Sequence, residues 1–175
     1  MPGSSRKPKH VVVMGVAATG KSAVGEELAE ELGCEFIEGD RLHPQRNIDR
    51  MSGGIPLTDE DRWPWLRAIA DLVATRDREG VSTVVTCSAL KRRYRDVLRE
   101  STPSFFVHLT APFAVLEDRM RHRTKHFMPV SALKSQLDTL EELDDDEAGA
   151  VIDVSPPLDE VVEESVNAVR VHYTE

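Results

Sequence analysis

The run Gly15-Val16-Ala17-Ala18-Thr19-Gly20-Lys21-Ser22 has the spacing G-x-x-x-x-G-K-[ST]. Small residues there let backbone N–H groups turn inward around phosphate oxygens. A helix opening at its end points a positive dipole at the same anion. Lys21 can then reach β- and γ-phosphates, and the Ser22 hydroxyl can hold Mg2+. ATP and Mg2+ are the ligands this pattern predicts. Its context fits, because an apolar β-branched run precedes it and an amphipathic helical pattern follows. Where Ala18 stands, many such loops have a third glycine; if the position needs positive φ, alanine is strained by ~1–2 kcal/mol. No plain strand ending in Asp supplies a second metal ligand, since the third strand ends Thr86-Cys87-Ser88. The metal would rely on Ser22, phosphate oxygens, water and a carboxylate from elsewhere.

A second chemical block begins at Gly39-Asp40. In an open α/β sheet, ligands sit beyond the carboxyl ends of the strands. Asp40 is thereby placed opposite the phosphate loop, as an acceptor of a hydroxyl proton or as a turn residue. His43 precedes Pro44 and so sits on extended backbone; a lone histidine is more often structural than catalytic. Arg46 and Arg50 are four apart and share a helix face. Two guanidinium groups there could grip a carboxylate, or merely face solvent.

The elements that must position these residues alternate. Strands are expected at 11–14, 35–38, 81–87, 105–109 and 151–154. Helices are expected at 21–32, 44–51, after Thr58, 89–99, 112–121 and 130–143, with a last helix capped by Ser155 and begun by Pro156. Strand–helix alternation calls for a parallel sheet with right-handed crossovers and helices on both faces. One α/β domain over 10–175 is expected, behind a flexible arm at 1–9. Its chain of 175 residues suffices for a core without disulfides. Cys34 and Cys87 are the only cysteines, with no metal spacing, which points to a reducing cytoplasm. No apolar run is long enough to span a membrane. The net charge of −9 argues against nucleic acid as a partner. That charge is uneven: residues 41–125 carry 16 basic and 11 acidic groups, residues 126–175 only 2 basic and 13 acidic. A cationic middle suits an anionic small ligand.

Gly39-Asp40-Arg41-Leu42-His43-Pro44, with Asn47, Met51, Gly54, Pro56-Leu57, Asp59, Asp61-Arg62 and Pro64-Trp65-Leu66, resembles the P-loop gluconokinases. So do Cys87-Ser88-Ala89-Leu90-Lys91, Tyr94-Arg95, Leu98-Arg99, His126-Phe127-Met128 and Ser135-Gln136. The likeness runs from about Val11 to Val162. It implies the fold of the nucleoside-monophosphate and shikimate kinases, with a five-stranded parallel sheet and a lid at about 122–129. The implied activity is transfer of the γ-phosphoryl group of ATP to the 6-hydroxyl of D-gluconate. Asp40 would be the base, and His43, Arg46, Arg50 and Lys91 would contact gluconate or shape its site. Arg119 and Arg123 fall where lid-edge arginines stack on adenine or contact phosphates. A homodimer is implied as well. Departures from the common pattern are Ala18 for glycine, Arg50 for lysine, Leu137 for phenylalanine and Leu143 for proline.

Three rival readings are weaker. A shikimate-type or nucleotide kinase is the nearest, but Leu42 stands where shikimate kinases carry a second Asp, and no Gly-Gly-Gly occurs. A nucleotide-binding switch would lack so long an acceptor block. An RNA binder using Lys91-Arg92-Arg93 and Arg121-His122-Arg123 would want an aromatic stacking platform.

Overall fold

The computed structural model describes residues 7–122 and 129–174. Five parallel strands form one sheet: β1 His10–Met14, β2 Glu35–Glu38, β3 Thr83–Thr86, β4 Phe105–Thr110 and β5 Gly149–Asp153. Their spatial order is β2-β3-β1-β4-β5. The register sets Val11 beside Val84 and Phe105, so the central strand is hydrogen-bonded on both edges. Among the described residues seven helices connect or follow them: α1 Lys21–Leu32, α2 Gln45–Ser52, α3 Asp59–Arg78, α4 Arg92–Arg99, α5 Phe113–Arg121, α6 Val130–Thr139 and α7 Leu158–Tyr173.

Alternating strand residues face opposite layers, as a two-residue period demands. Val11, Val13, Val107 and Leu109 pack with Val24 and Leu28 of α1 and Val161, Val166 and Val169 of α7. Val12, Met14, Val85 and Phe106 pack with Trp65, Leu66 and Ile69 of α3 and Tyr94 and Leu98 of α4. Buried on both faces, the inner strands read as nearly continuous apolar runs, which is how they were recognisable. A third cluster sits at the carboxyl edge of the sheet, where Val16, Ala18, Leu90, Leu116, Met120 and Leu133 meet.

Several boundaries differ from expectation, each for a local reason. α4 starts at Arg92 rather than residue 89, because Ala89 has φ +46, a left-handed conformation that no helix accepts. α5 opens at Phe113, with Pro112 one residue outside it. α6 ends at Thr139 rather than 143, since Leu140 turns extended and the Glu141 N–H goes to Leu90 O. α7 begins at Leu158 with Pro157 before it, not at Ser155-Pro156. There the Ser155 N–H donates to Asp153 Oδ1, which turns the chain before a helix can start. Leu158, expected on the apolar side of α7, is exposed. Pro64 is accommodated inside α3, whose start is secured by a capping box between Thr58 and Asp61. At the amino end, Lys9 is tied to the sheet: its N–H donates to Ser82 Oγ, and its carbonyl accepts from Thr83.

Candidate active site

The loop of residues 15–22 leaves the carboxyl end of β1 at the centre of the sheet. Gly15 admits no side chain, because a Cβ would lie 2.6 Å from Leu109 O. Ala18 takes φ +69 and Gly20 φ +84, so the strain expected for an alanine is present. Thr19 Oγ1 donates to Val16 O at 2.8 Å and braces the loop from within. α1 has no side-chain cap. Its first amides are thus left to a ligand, as anion sites at helix starts require. Lys21 Nζ donates to Gly15 O at 3.0 Å and Val16 O at 3.2 Å, which folds it over the loop.

The Ser22 hydroxyl donates to Glu38 Oε2 at 2.7 Å, and the other Glu38 oxygen accepts from Thr86 Oγ1 at 2.6 Å. Sequence reasoning missed Glu38, which reads as an ordinary strand residue. Its signal was position, as the last residue of a strand beside the phosphate loop. Ser22 and Glu38 form an oxygen-only donor set, the kind Mg2+ prefers when phosphates and water complete its shell. Among the described residues no group of three His, Cys, Asp or Glu could hold a metal by itself.

Beyond β2 the chain turns through a 3₁₀ segment, Gly39–Leu42. Gly39 is obligatory, because a Cβ there would meet Thr86 O at 1.9 Å. The turn lifts Asp40 into solvent at the strand end. His43 is nearly buried and stacks on Trp65, with ring centroids 4.0 Å apart. Trp65 itself donates to Gly39 O at 2.8 Å, so one indole fixes both the turn and the imidazole. Asn47 Nδ2 donates to Asp61 O at 2.8 Å and faces His43 Nδ1 at 3.1 Å. An amide nitrogen cannot accept, so His43 Nδ1 is the acceptor and the ring proton is assigned to Nε2. Burial lowers the pKa of His43; the Asp40 charge opposes that, and Arg62 adds to it.

Two carboxylates on the first turn of α3 gather the cations. Asp61 lies 3.6 Å from Arg46 and 3.4 Å from Arg50. The Thr58 N–H, ahead of these arginines, holds the Asp61 carboxyl below its usual range. Asp59 meets Arg93 at 2.6 Å, Lys91 at 3.5 Å and the Tyr94 hydroxyl. The bond from Tyr94 is the main reason that the Asp59 pKa is lowered. Burial, then Asp59, pushes the Tyr94 phenol up to about 12. The Arg46 side chain is 70% exposed and that of Lys91 22%, so Arg46 presents its charge openly while Lys91 is more enclosed.

The third wall is the segment after β3. Ser88 O accepts from Gly15 N at 3.3 Å, so this segment touches the phosphate loop directly. Ala89, in its left-handed conformation, gives its carbonyl to the buried Arg95 at 2.8 Å. Arg95 also forks onto Glu147 at 2.8 and 3.1 Å. Burial pushes the Glu147 carboxyl up, but bonds from Arg95, the Asp144 N–H and Arg99 outweigh it and bring it to about 2. Cys87 is fully enclosed here, and burial pushes its thiol up to about 12, which makes it inert rather than nucleophilic.

The expected residues thus divide. Residues 15–22, Asp40, His43, Arg46, Arg50 and Lys91 gather around the carboxyl ends of β1, β2 and β3. Arg119 lies apart, in the last turn of α5, where it donates to Val154 O just past β5. Arg123, His126-Phe127-Met128 and, of the lid expected at about 122–129, residues 123–128 lie outside the described residues.

A family model described as AAA domain matches residues 11–143. The chain is 47% identical over 161 residues to a gluconokinase of Gluconobacter oxydans, covering 91% of this chain and 90% of that protein. It is 42% identical to a thermoresistant gluconokinase of Escherichia coli, covering 91% and 92%. A solved gluconokinase from Sinorhizobium meliloti superposes with a TM-score of 0.87 at 51% identity, over 97% of this chain and 95% of that one. So extensive a likeness spans both the phosphate loop and the block that faces it, and the chain belongs to the gluconokinase family.

Proposed function

We propose that this protein transfers the γ-phosphoryl group of ATP to the 6-hydroxyl of D-gluconate, giving 6-phospho-D-gluconate. The observation that carries the reading is the extensive likeness to gluconokinases, and the cations Arg46, Arg50 and Lys91, gathered on Asp61 and Asp59 at the start of α3, support it. A neutral acceptor would not need these cations, whereas a sugar acid brings a carboxylate for guanidinium and ammonium groups to hold. Gluconate would lie with its carboxylate toward these cations and its far hydroxyl toward Asp40 and the loop.

In the proposed mechanism the loop amides and Lys21 bind the triphosphate, and Asp40 orients the hydroxyl and takes its proton. Ser22 and Glu38 would hold Mg2+, which would supply neutralisation of phosphate charge. A loose phosphoryl-transfer transition state asks mainly for position and electrostatic support, so Asp40 need not be a strong base. His43, kept neutral by burial, serves as a fixed wall of the pocket and presents Nε2–H as a donor. Arg119 and Arg123 are assigned to the nucleotide side, Arg123 toward the transferred group.

No helix among the described residues is long and apolar enough to cross a membrane. A cytoplasmic homodimer is the proposed working state, supported by free cysteines at Cys34 and Cys87 for the compartment; light scattering reads the assembly. The deciding assay couples product to 6-phosphogluconate dehydrogenase and follows nicotinamide reduction. Signal requiring ATP, Mg2+ and gluconate together is expected. Absence of signal with active coupling enzyme, alongside turnover of another acceptor, overturns the reading.

A further inference from the structure

The Ala17 N–H, third in the phosphate loop, does not point to a main-chain partner. It donates to Gln136 Oε1 at 2.7 Å, across 119 residues of sequence. Gln136 lies on α6, and packing holds that helix in place. Leu133 is fully buried against Val16, Ala18, Leu90, Leu116 and Met120, with Leu137 and Leu140 beside it. Leu133, Leu137 and Leu140 form one stripe, and Gln136 sits at its border, turned by the same packing toward the loop. The Glu141 N–H on Leu90 O then pins the end of α6 to the acceptor wall at 2.7 Å.

A backbone N–H can only donate, so the amide orientation of Gln136 is forced: oxygen toward Ala17, nitrogen away from it. Among the described residues Nε2 has no hydrogen-bond partner. The Gln136 NH₂ therefore stands one amide width from the Ala17 N–H at the phosphate loop. The α- and β-phosphates are already served by the loop amides and the start of α1. Lys21 is the loop side chain that would reach the terminal phosphate, and a neutral donor beside the loop would add to it.

We propose that Gln136 is a positioning residue for phosphoryl transfer, anchored by its carbonyl on Ala17 and offering its NH₂ to the γ-phosphoryl group of ATP. The proposal rests on the phosphoryl-transfer reading of this site. It makes α6 a reporter of whether the third phosphate is present.

The test uses the whole protein and the variants Gln136→Ala and Gln136→Glu. Glutamate can still accept from Ala17 but cannot donate, which separates a loop clamp from a phosphoryl donor. Affinities for MgADP and for a non-hydrolysable MgATP analogue are measured by titration calorimetry without gluconate; kcat and both KM values are measured with it. In both variants analogue affinity should fall ~10-fold or more relative to ADP affinity, and kcat ~10²-fold or more, the scale of one lost transition-state donor. Wild-type kcat and analogue affinity in Gln136→Glu would overturn the proposal and leave Gln136 a clamp. Equal losses for ADP and analogue would overturn it too. If wild-type protein fails to phosphorylate gluconate yet binds the analogue in a Gln136-dependent way, the acceptor assignment fails and this one stands.

Discussion

In the proposed reading the loop of residues 15–22 would meet its anion with main-chain groups, whereas the cluster of Arg46, Arg50 and Lys91 would meet one with side chains from α2 and from the residue just before α4. In the first, helix α1 starts without a side-chain cap, so the positive end of its dipole faces the loop. In the second, every cation named already faces a carboxylate, Asp59 or Asp61. The loop is thus poised for whatever triphosphate arrives, and its specificity is slight. The pocket holds its charges in place before the acid comes, and a ligand must match that arrangement to displace the internal pairing. Generic recognition is left to backbone, and selective recognition to pre-paired side chains.

This contrast can be broken experimentally. The largest effects should come where the two halves meet the transferred group. Lys21→Ala and Asp40→Asn should each lower kcat by at least ~10² in the coupled assay. Near-normal turnover in Asp40→Asn would remove Asp40 as the proton acceptor. One step smaller, Arg46→Ala and Lys91→Ala should each raise the KM for gluconate ~10-fold or more, as loss of a charge-assisted bond does, and leave the KM for ATP unchanged. Equal rises in both constants would erase the division between the halves.

Much of the first half was legible in the sequence because its chemistry is local. Eight consecutive residues carry the loop, and even the positive φ at Ala18 was foreseeable from the glycine usually found there. The second half was legible only in part. The Arg46–Arg50 pairing follows from helical spacing, but Asp61 joins them through a capping box on another helix. Ala89 reads as a helix former, yet a buried guanidinium from Arg95 takes its carbonyl and holds it left-handed. Gln136 reads as a polar helix residue; only packing across 119 positions gives it meaning. Contacts set by tertiary packing leave no periodic trace, so they escape any reading of spacing.

Smaller effects probe how each half is held. Ala18→Gly should relieve the left-handed strain and raise stability by up to ~1 kcal/mol, part of the gain being offset by the freer unfolded chain. Thermal unfolding measures it; a lower midpoint would show that the Ala18 methyl in the third cluster matters more than its backbone. The smallest effect should come from pH. His108 is buried on β4 with Nδ1 unpartnered among the described residues, and burial, then the Arg95 charge, lowers its pKa. Below about pH 6.5 the unfolded chain then binds more protons than the folded one, so stability falls as pH drops from there toward the lowered folded value. Urea midpoints at pH 7.5 and 5.5 should show this decline, and His108→Leu should flatten it.

The order β2-β3-β1-β4-β5 also makes the sheet a ruler. Neighbouring strands stand about 4.8 Å apart, so the ends of β1 and β2 are separated by two graduations, roughly 10 Å. One end carries the phosphate loop and the other Asp40, while the interposed β3 feeds the floor between them. The spacing of these two anchor points is therefore counted in whole strands. Loops may vary the pocket's walls, but only a change in strand order could alter the spacing of the strand ends from which the two halves grow.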